Sequence, residues 1–198
     1  MPIIAGRASA AYGAGFGKSA TGSSYAGPYG AYDALATATL TASSTSIVFA
    51  GIPTGYKSLQ LRMLLRGDRT NGDDLKVLIN GDTGNNYANH VFGGDGANQS
   101  NYGQASFGFI YSYQGIPGPT ASPSQLYYSG IMDIYDYAHT SKNKVTKWLQ
   151  GYDQNGGGNV QLTSGVRFNT EAINTISIAP RYGTNLVIYS QIALYGMR

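Results

Sequence analysis

The chain has 198 residues, a formal net charge of +3 and only 12% charged residues, about half of the ~25% usual in soluble domains. It has no cysteine, which excludes a disulfide scaffold, a thiolate metal site and a cysteine nucleophile. Its basic residues are scattered rather than clustered, so no nucleic-acid partner is expected.

No apolar run reaches about 18 residues, so no helical membrane insertion is expected. The start has no basic stretch followed by an apolar one, so no signal peptide is expected. A hydrophobic content of 42% is enough to build a core.

Residues 1–32 form a first segment of glycine, alanine, serine and tyrosine, with Arg7 and Lys18 as the charges before Asp33. It shows no period of two or of 3.6, and it cannot bury enough apolar surface to fold alone. Yet it carries Ile3, Ile4, Tyr12, Phe16, Tyr25 and Tyr29. Two readings stand: a disordered terminus, or an arm that orders against another chain, its aromatics filling pockets. The second is preferred, with Ile3, Ile4, Arg7, Tyr12, Phe16, Lys18, Tyr25 and Tyr29 as anchoring residues. The run GAGFGKS at 13–19 looks like a phosphate loop, but Tyr12 stands where that motif needs glycine, and no strand precedes it.

From Asp33 to the end the pattern is that of strands. In 58–66, Leu59, Leu61, Met63 and Leu65 alternate with Gln60, Arg62 and Arg66, the period of a half-buried strand. Similar runs are 35–41, 45–49, 75–79, 106–113, 126–137, 144–152, 160–168, 172–179 and 186–195. They are separated by turn residues such as Asn71-Gly72, Asn80-Gly81 and the stretch 155–159. Two polar or proline-rich stretches, 93–104 and 114–125, read as long loops able to form a binding surface or an edge cover. Many short strands and no capped helical stripe predict an all-β fold. The expected architecture is a jelly-roll-like antiparallel β-sandwich head at 33–198, preceded by the extended glycine-rich arm.

Chemistry-bearing groups are few. His90 falls on an expected strand and His139 in the expected turn Ala138-His139-Thr140-Ser141, and no Gly-x-Ser-x-Gly elbow is present, so both read as structural or exposed imidazoles. Asp133 and Asp136, three apart on an expected strand, would point to opposite faces. Asp68, Asp73, Asp74, Asn80, Asp82 and Asn85 offer oxygen ligands on neighbouring turns, but the spacing is not that of a calcium loop and such residues cap turns by themselves. No metal, no cofactor and no catalytic set is therefore expected. The 17 tyrosines are the distinctive feature, as subunit or sugar contacts or as strand-forming filler. Tyr111, Tyr113, Tyr127, Tyr128 and Trp148 are the candidates for ligand or subunit contact.

Several strings carry a resemblance. MPIIA at 1–5 with YGAGFG at 12–17, FAGIP at 49–53, the stretch 59–69, NGDTGNNY at 80–87 and ALYGMR at 193–198 are similar to small virion proteins of tailed bacteriophages, especially phages of cyanobacteria and other aquatic bacteria. The resemblance implies a non-enzymatic structural component of the particle, assembled in the host cytoplasm. It implies an N-terminal anchor to other virion proteins, of capsid or tail, and an exposed head serving as capsid decoration, fibre or tail appendage. Few charges and many tyrosines suit a homo-oligomer, with a trimer preferred. The alternative is a carbohydrate- or receptor-binding adhesion module of a tail fibre, with a host surface glycan as ligand. A hydrolase would need two carboxyl groups facing one bond.

Overall fold

The computed structural model describes residues 3–4, 31–119 and 125–198. Among them there is no helix. The strands are β1 (Ile3–Ile4), β2 (Tyr32–Thr39), β3 (Ile47–Ala50), β4 (Ser58–Leu65), β5 (Asp73–Ile79), β6 (Tyr87–Gly94), β7 (Gln99–Phe107), β8 (Ile110–Ile116), β9 (Tyr128–Tyr135), β10 (Lys144–Asp153), β11 (Gly158–Arg167), β12 (Thr175–Pro180) and β13 (Gln191–Met197). They make a five-stranded sheet, ordered β1-β3-β12-β5-β8, and an eight-stranded sheet, ordered β2-β13-β4-β9-β10-β11-β6-β7. All pairings are antiparallel except β1 on β3.

The strand order is that of a jelly roll. Setting aside β1, β2 and β13, and taking the meander β9–β10–β11 as one position, leaves eight positions in chain order. The smaller sheet then reads first, eighth, third, sixth, and the larger reads second, seventh, fourth, fifth. Every step between positions crosses from one sheet to the other except β6 to β7, which form a hairpin.

Alternation drives the packing. On β4, Leu59, Leu61, Met63 and Leu65 are buried while Arg62 and Leu64 are exposed. Leu75, Val77 and Ile79 of β5 and Ile176 and Ile178 of β12 fill the opposing layer, with Met132, Ile134, Ile192 and Leu194 from the larger sheet. Each such side chain contributes about 1.5–3 kcal/mol of transfer free energy. The β5 exit is a tight turn, with Asn80 at φ 53 and Gly81 at φ 68 and the Asp82 N–H donating to Ile79 O at 3.0 Å. Two successive positive φ values suit Asn-Gly.

Strands β10 and β11 reverse the usual polarity. Their inward positions carry Lys144, Thr146, Trp148, Gln150, Gln161, Thr163 and Arg167, and their outward positions carry Val145, Leu149, Val160 and Leu162. Some inward polar groups are satisfied within the sandwich, while Thr146 Oγ1, Thr163 Oγ1, Gln161 Nε2 and Arg167 Nη1 have no hydrogen-bond partner among the described residues. Trp148 Nε1 donates to Tyr128 Oη, which donates to Gln150 Oε1 at 3.0 Å, and Gln150 Nε2 donates to Gln161 Oε1 at 2.9 Å. Lys144 Nζ donates to the carbonyls of Asp136, His139, Lys142 and Thr170, and burial lowers its pKa. Arg167 Nε donates to Asp82 Oδ2 at 2.9 Å.

Several expectations are corrected. The stretch 93–104 is largely a hairpin, with β6 and β7 paired around the 95–98 turn, where Asp95 Oδ1 accepts the Ala97 and Asn98 N–H groups. Strand β7 is an edge strand with one neighbour and mostly exposed side chains, so it needs little apolar content and gave no apolar alternation to read. The span 106–113 is two strands: β7 ends at Phe107 after a bulge that includes Ser106 at φ 53, and the chain then changes sheet to β8. Strand β8 runs to Ile116, into the expected second loop; residues 120–124 of that loop lie outside the described residues. Asp136 is not on a strand but in the turn after β9, at φ 48. Of the expected arm, Tyr32 opens β2, and Ile3–Ile4 pair in parallel with Val48 and Phe49 of β3. Arg7, Tyr12, Phe16, Lys18, Tyr25 and Tyr29 lie outside the described residues.

Candidate functional site

Strands β7 and β8 are the last strands of their respective sheets, so the sandwich opens between them. An open cleft of about 730 Å³ lies there. Strand β7 contributes Gln99, Ser100, Asn101, Tyr102 and Gln104; β8 contributes Tyr111, Tyr113 and Gln114. Arg69, Asp74, Arg181 and Tyr182 close it from the β5 entry and the β12 exit.

The aromatic wall is ordered by ring contacts. Tyr102 stacks on Tyr111 at 6.2 Å between centroids and meets Tyr113 edge-on at 5.1 Å. Phe107 and Phe109 extend the cluster to Tyr111 at 5.4 and 6.1 Å. The Arg181 guanidinium sits 4.6 Å from the Tyr182 ring and 4.8 Å from the Tyr111 ring, a cation held against π faces. Its Nη1 donates to Asp74 Oδ2 at 2.8 Å. Asp74 Oδ1 accepts the Gln114 N–H at 2.7 Å.

The electrostatics follow from this packing. Burial raises the Asp74 carboxyl from its ordinary value; the Gln114 N–H and Arg181 oppose that rise without cancelling it. Burial, with Tyr111 next, raises the Tyr102 hydroxyl well above the ordinary phenol value, and that oxygen has no hydrogen-bond partner among the described residues. Arg69 lies 5.0 Å from the Tyr182 ring and donates to Gly72 O at 3.1 Å. Amide side chains from Gln99, Asn101, Gln104 and Gln114, beside tyrosine and arginine, can bond to polyhydroxylated surfaces. Asp74 is the sole carboxylate among the described lining residues, so a two-carboxylate hydrolysis finds no second acid there.

The sequence-predicted contacts divide. Tyr111 and Tyr113 meet in the cleft. Tyr127 lies elsewhere, its hydroxyl donating to Ile188 O at 2.8 Å. Tyr128 and Trp148 are corrected: both are 0% exposed. They occupy inward positions of β9 and β10, and their polar atoms are used by each other and by Gln150. Gly130 makes room for this: a Cβ there would stand 2.0 Å from Tyr128 Oη.

The acidic turns serve the backbone. Asp68 accepts the Thr184 and Asn185 N–H groups, and Asp73 accepts those of Asp74, Tyr182 and Gly183. Asp82 accepts the Gly84 N–H and Arg167. No group of three or more histidine or acidic side chains able to hold a metal ion occurs among the described residues. His90 is exposed on the outer face of β6, and His139 Nδ1 accepts the Ser141 N–H in a turn.

Asp74, Tyr102, Arg181 and Tyr182 were not anticipated as site residues. Only the reading of 93–104 and 114–125 as binding loops pointed toward Tyr102 and Gln114. Among the described residues no helix is long and apolar enough to cross a membrane. No protein-family model, no curated protein and no solved structure matches the chain.

Proposed function

We propose that the chain is a non-enzymatic structural protein of a bacteriophage virion, assembled in the host cytoplasm. Its N-terminal segment holds it to other capsid or tail proteins, and its jelly-roll head is displayed as capsid decoration, fibre or tail appendage. The observation that carries this reading is the jelly-roll strand order, an architecture used by viral capsid and lectin domains. Fold likeness is an associational warrant; the virion-like strings at both ends of the chain add to it. Ile3–Ile4 pair with the β3 edge of the same chain, so this pairing is internal and the anchoring role rests on the virion-like strings alone.

Deletion of residues 2–30 tests the reading. The truncated chain keeps every strand from β2 onward, so it should stay folded by circular dichroism while disappearing from purified particles. Normal incorporation of the truncated chain would overturn the anchoring role.

The cleft favours a second reading, an adhesion module for a host surface glycan. Its polar amides and the Tyr113 ring are the specific support. A glycan array and a cell-adsorption assay with purified protein test it. Binding that is lost in Tyr113→Ala and Gln104→Ala supports the reading, and no binding in either assay rejects it.

A further inference from the structure

The outer face of the eight-stranded sheet carries a line of apolar side chains. Ile131 on β9 is paired with Leu149 on β10, Leu149 with Leu162 on β11, and Leu162 with Phe92 on β6. Register therefore puts four large apolar residues side by side on four consecutive strands. Their exposures are 44%, 56%, 49% and 63%. In the adjacent row, Leu64 and Val160 are exposed as well. An apolar line of this kind on a soluble surface marks a place where something packs.

The reversed polarity of β10 and β11 strengthens the point. These strands spend their inward positions on Thr146, Gln150, Gln161 and Thr163 and place valine and leucine outward. A half-solvated sheet carries the opposite pattern. Here the outward face has the composition of a covered one.

We propose that this face is the contact with a second copy of this chain, the two related by a two-fold axis parallel to the strands between β9 and β10. The register makes such a contact self-complementary. Ile131 is paired with Leu149, and two residues along, Asp133 is paired with Lys147. Exchanging β9 and β10 across the axis sets Ile131 against Leu149 of the second copy. The same operation sets Asp133 against Lys147, and at the flanks it sets Leu162 against Arg62 and Phe92 against Ala193. Lys147 has no ion pair within its own chain among the described residues.

Size agrees. Eight strands spaced ~4.8 Å apart and ~24 Å long outline a face of about 900 Å², the order of what a standard interface buries on each partner. The apolar line runs through the middle, with Asp133, Lys147, Ser164 and His90 in the polar row beside it and Tyr135, Val145 and Val166 in the row beyond. This contact gives the homo-oligomer of the reading above a two-fold pair in place of the expected trimer. It does not rest on the virion or glycan roles.

Sedimentation equilibrium of the full chain tests it. The expected mass is that of two chains. Leu149→Lys and Leu162→Lys, both at exposed positions, should each weaken association roughly 30-fold, and together give a single-chain mass with an unchanged circular-dichroism spectrum. Asp133→Lys should weaken association, and adding Lys147→Asp should restore it, which a general loss of folding could not produce. A single-chain mass for the wild type, a three-chain mass, or a two-chain mass indifferent to the leucine substitutions would each overturn the proposal.

Discussion

Strands β4 and β10 lie two apart in the same sheet and obey the same two-residue period, yet they distribute polarity in opposite ways. On β4 the inward side chains are Leu59, Leu61, Met63 and Leu65. On β10 they are Lys144, Thr146, Trp148 and Gln150, with Val145 and Leu149 facing out. Periodicity thus separates a strand's two faces but does not say which one is inward. On β10 the decision is made by the Trp148 indole, the large apolar group on its face, and by the partners of its Nε1 and of Gln150.

Trp148→Ala against Leu149→Ala is the sharpest way to break this comparison. Trp148 is fully buried and Leu149 is 56% exposed, although they are adjacent in sequence. Truncating the indole should cost about 3–5 kcal/mol and leave Tyr128 without its donor. Truncating the leucine should change the stability of the isolated fold by less than about 0.5 kcal/mol. Urea unfolding followed by fluorescence and circular dichroism measures both. Equal effects would mean that β10 presents its faces the other way round.

Gly130→Ala comes next. The added methyl would meet the buried Tyr128 ring and hydroxyl, with Oη at 2.0 Å and Cζ at 2.5 Å. Overpacking of this kind costs about 1–3 kcal/mol. A melting temperature unchanged from wild type would show that Tyr128 has another rotamer to occupy.

These contrasts also explain what could be read from the residues alone. The all-β class and the runs on β4, β5 and β9 followed from apolar alternation, which is a local signal. Strand β7 was hidden, because a polar edge strand such as QSNYGQASF pairs through its backbone and needs no apolar stripe. Tyr128 and Trp148 were assigned to a surface because aromatic content does not encode facing. The cleft was legible only in part. Arg181 and Tyr182 reach it after β12, and Tyr102 and Tyr111 come from strands of different sheets. Such a meeting depends on strand order, which no local pattern carries.

Thr163→Val and Thr146→Val sharpen the comparison on the polar side. Both hydroxyls are buried with no hydrogen-bond partner among the described residues. Replacing an unpaired hydroxyl by a methyl of similar shape removes a desolvation penalty of about 1–3 kcal/mol, less whatever the packing change costs. Each variant should melt at or slightly above the wild-type temperature. Marked destabilisation would show that these hydroxyls are bonded in solution.

Acid unfolding gives the smallest effect and separates two aspartates in the same chain. Burial alone would raise the Asp82 carboxyl, but Arg167, the Gly84 N–H and Asn86 together hold it below 3.8. Its folded state binds fewer protons than its unfolded state in that window. Stability from Asp82 is therefore complete above 3.8 and falls away as pH drops through the folded value. Asp74 behaves oppositely: burial lifts it above 3.8, so its contribution is complete below 3.8 and is lost as pH rises through the folded value. Asp82→Asn should flatten the most acidic limb of a stability–pH curve. Asp74→Asn should flatten the limb just above 3.8, and a curve in which both substitutions act on the same limb would show that burial does not dominate at Asp74.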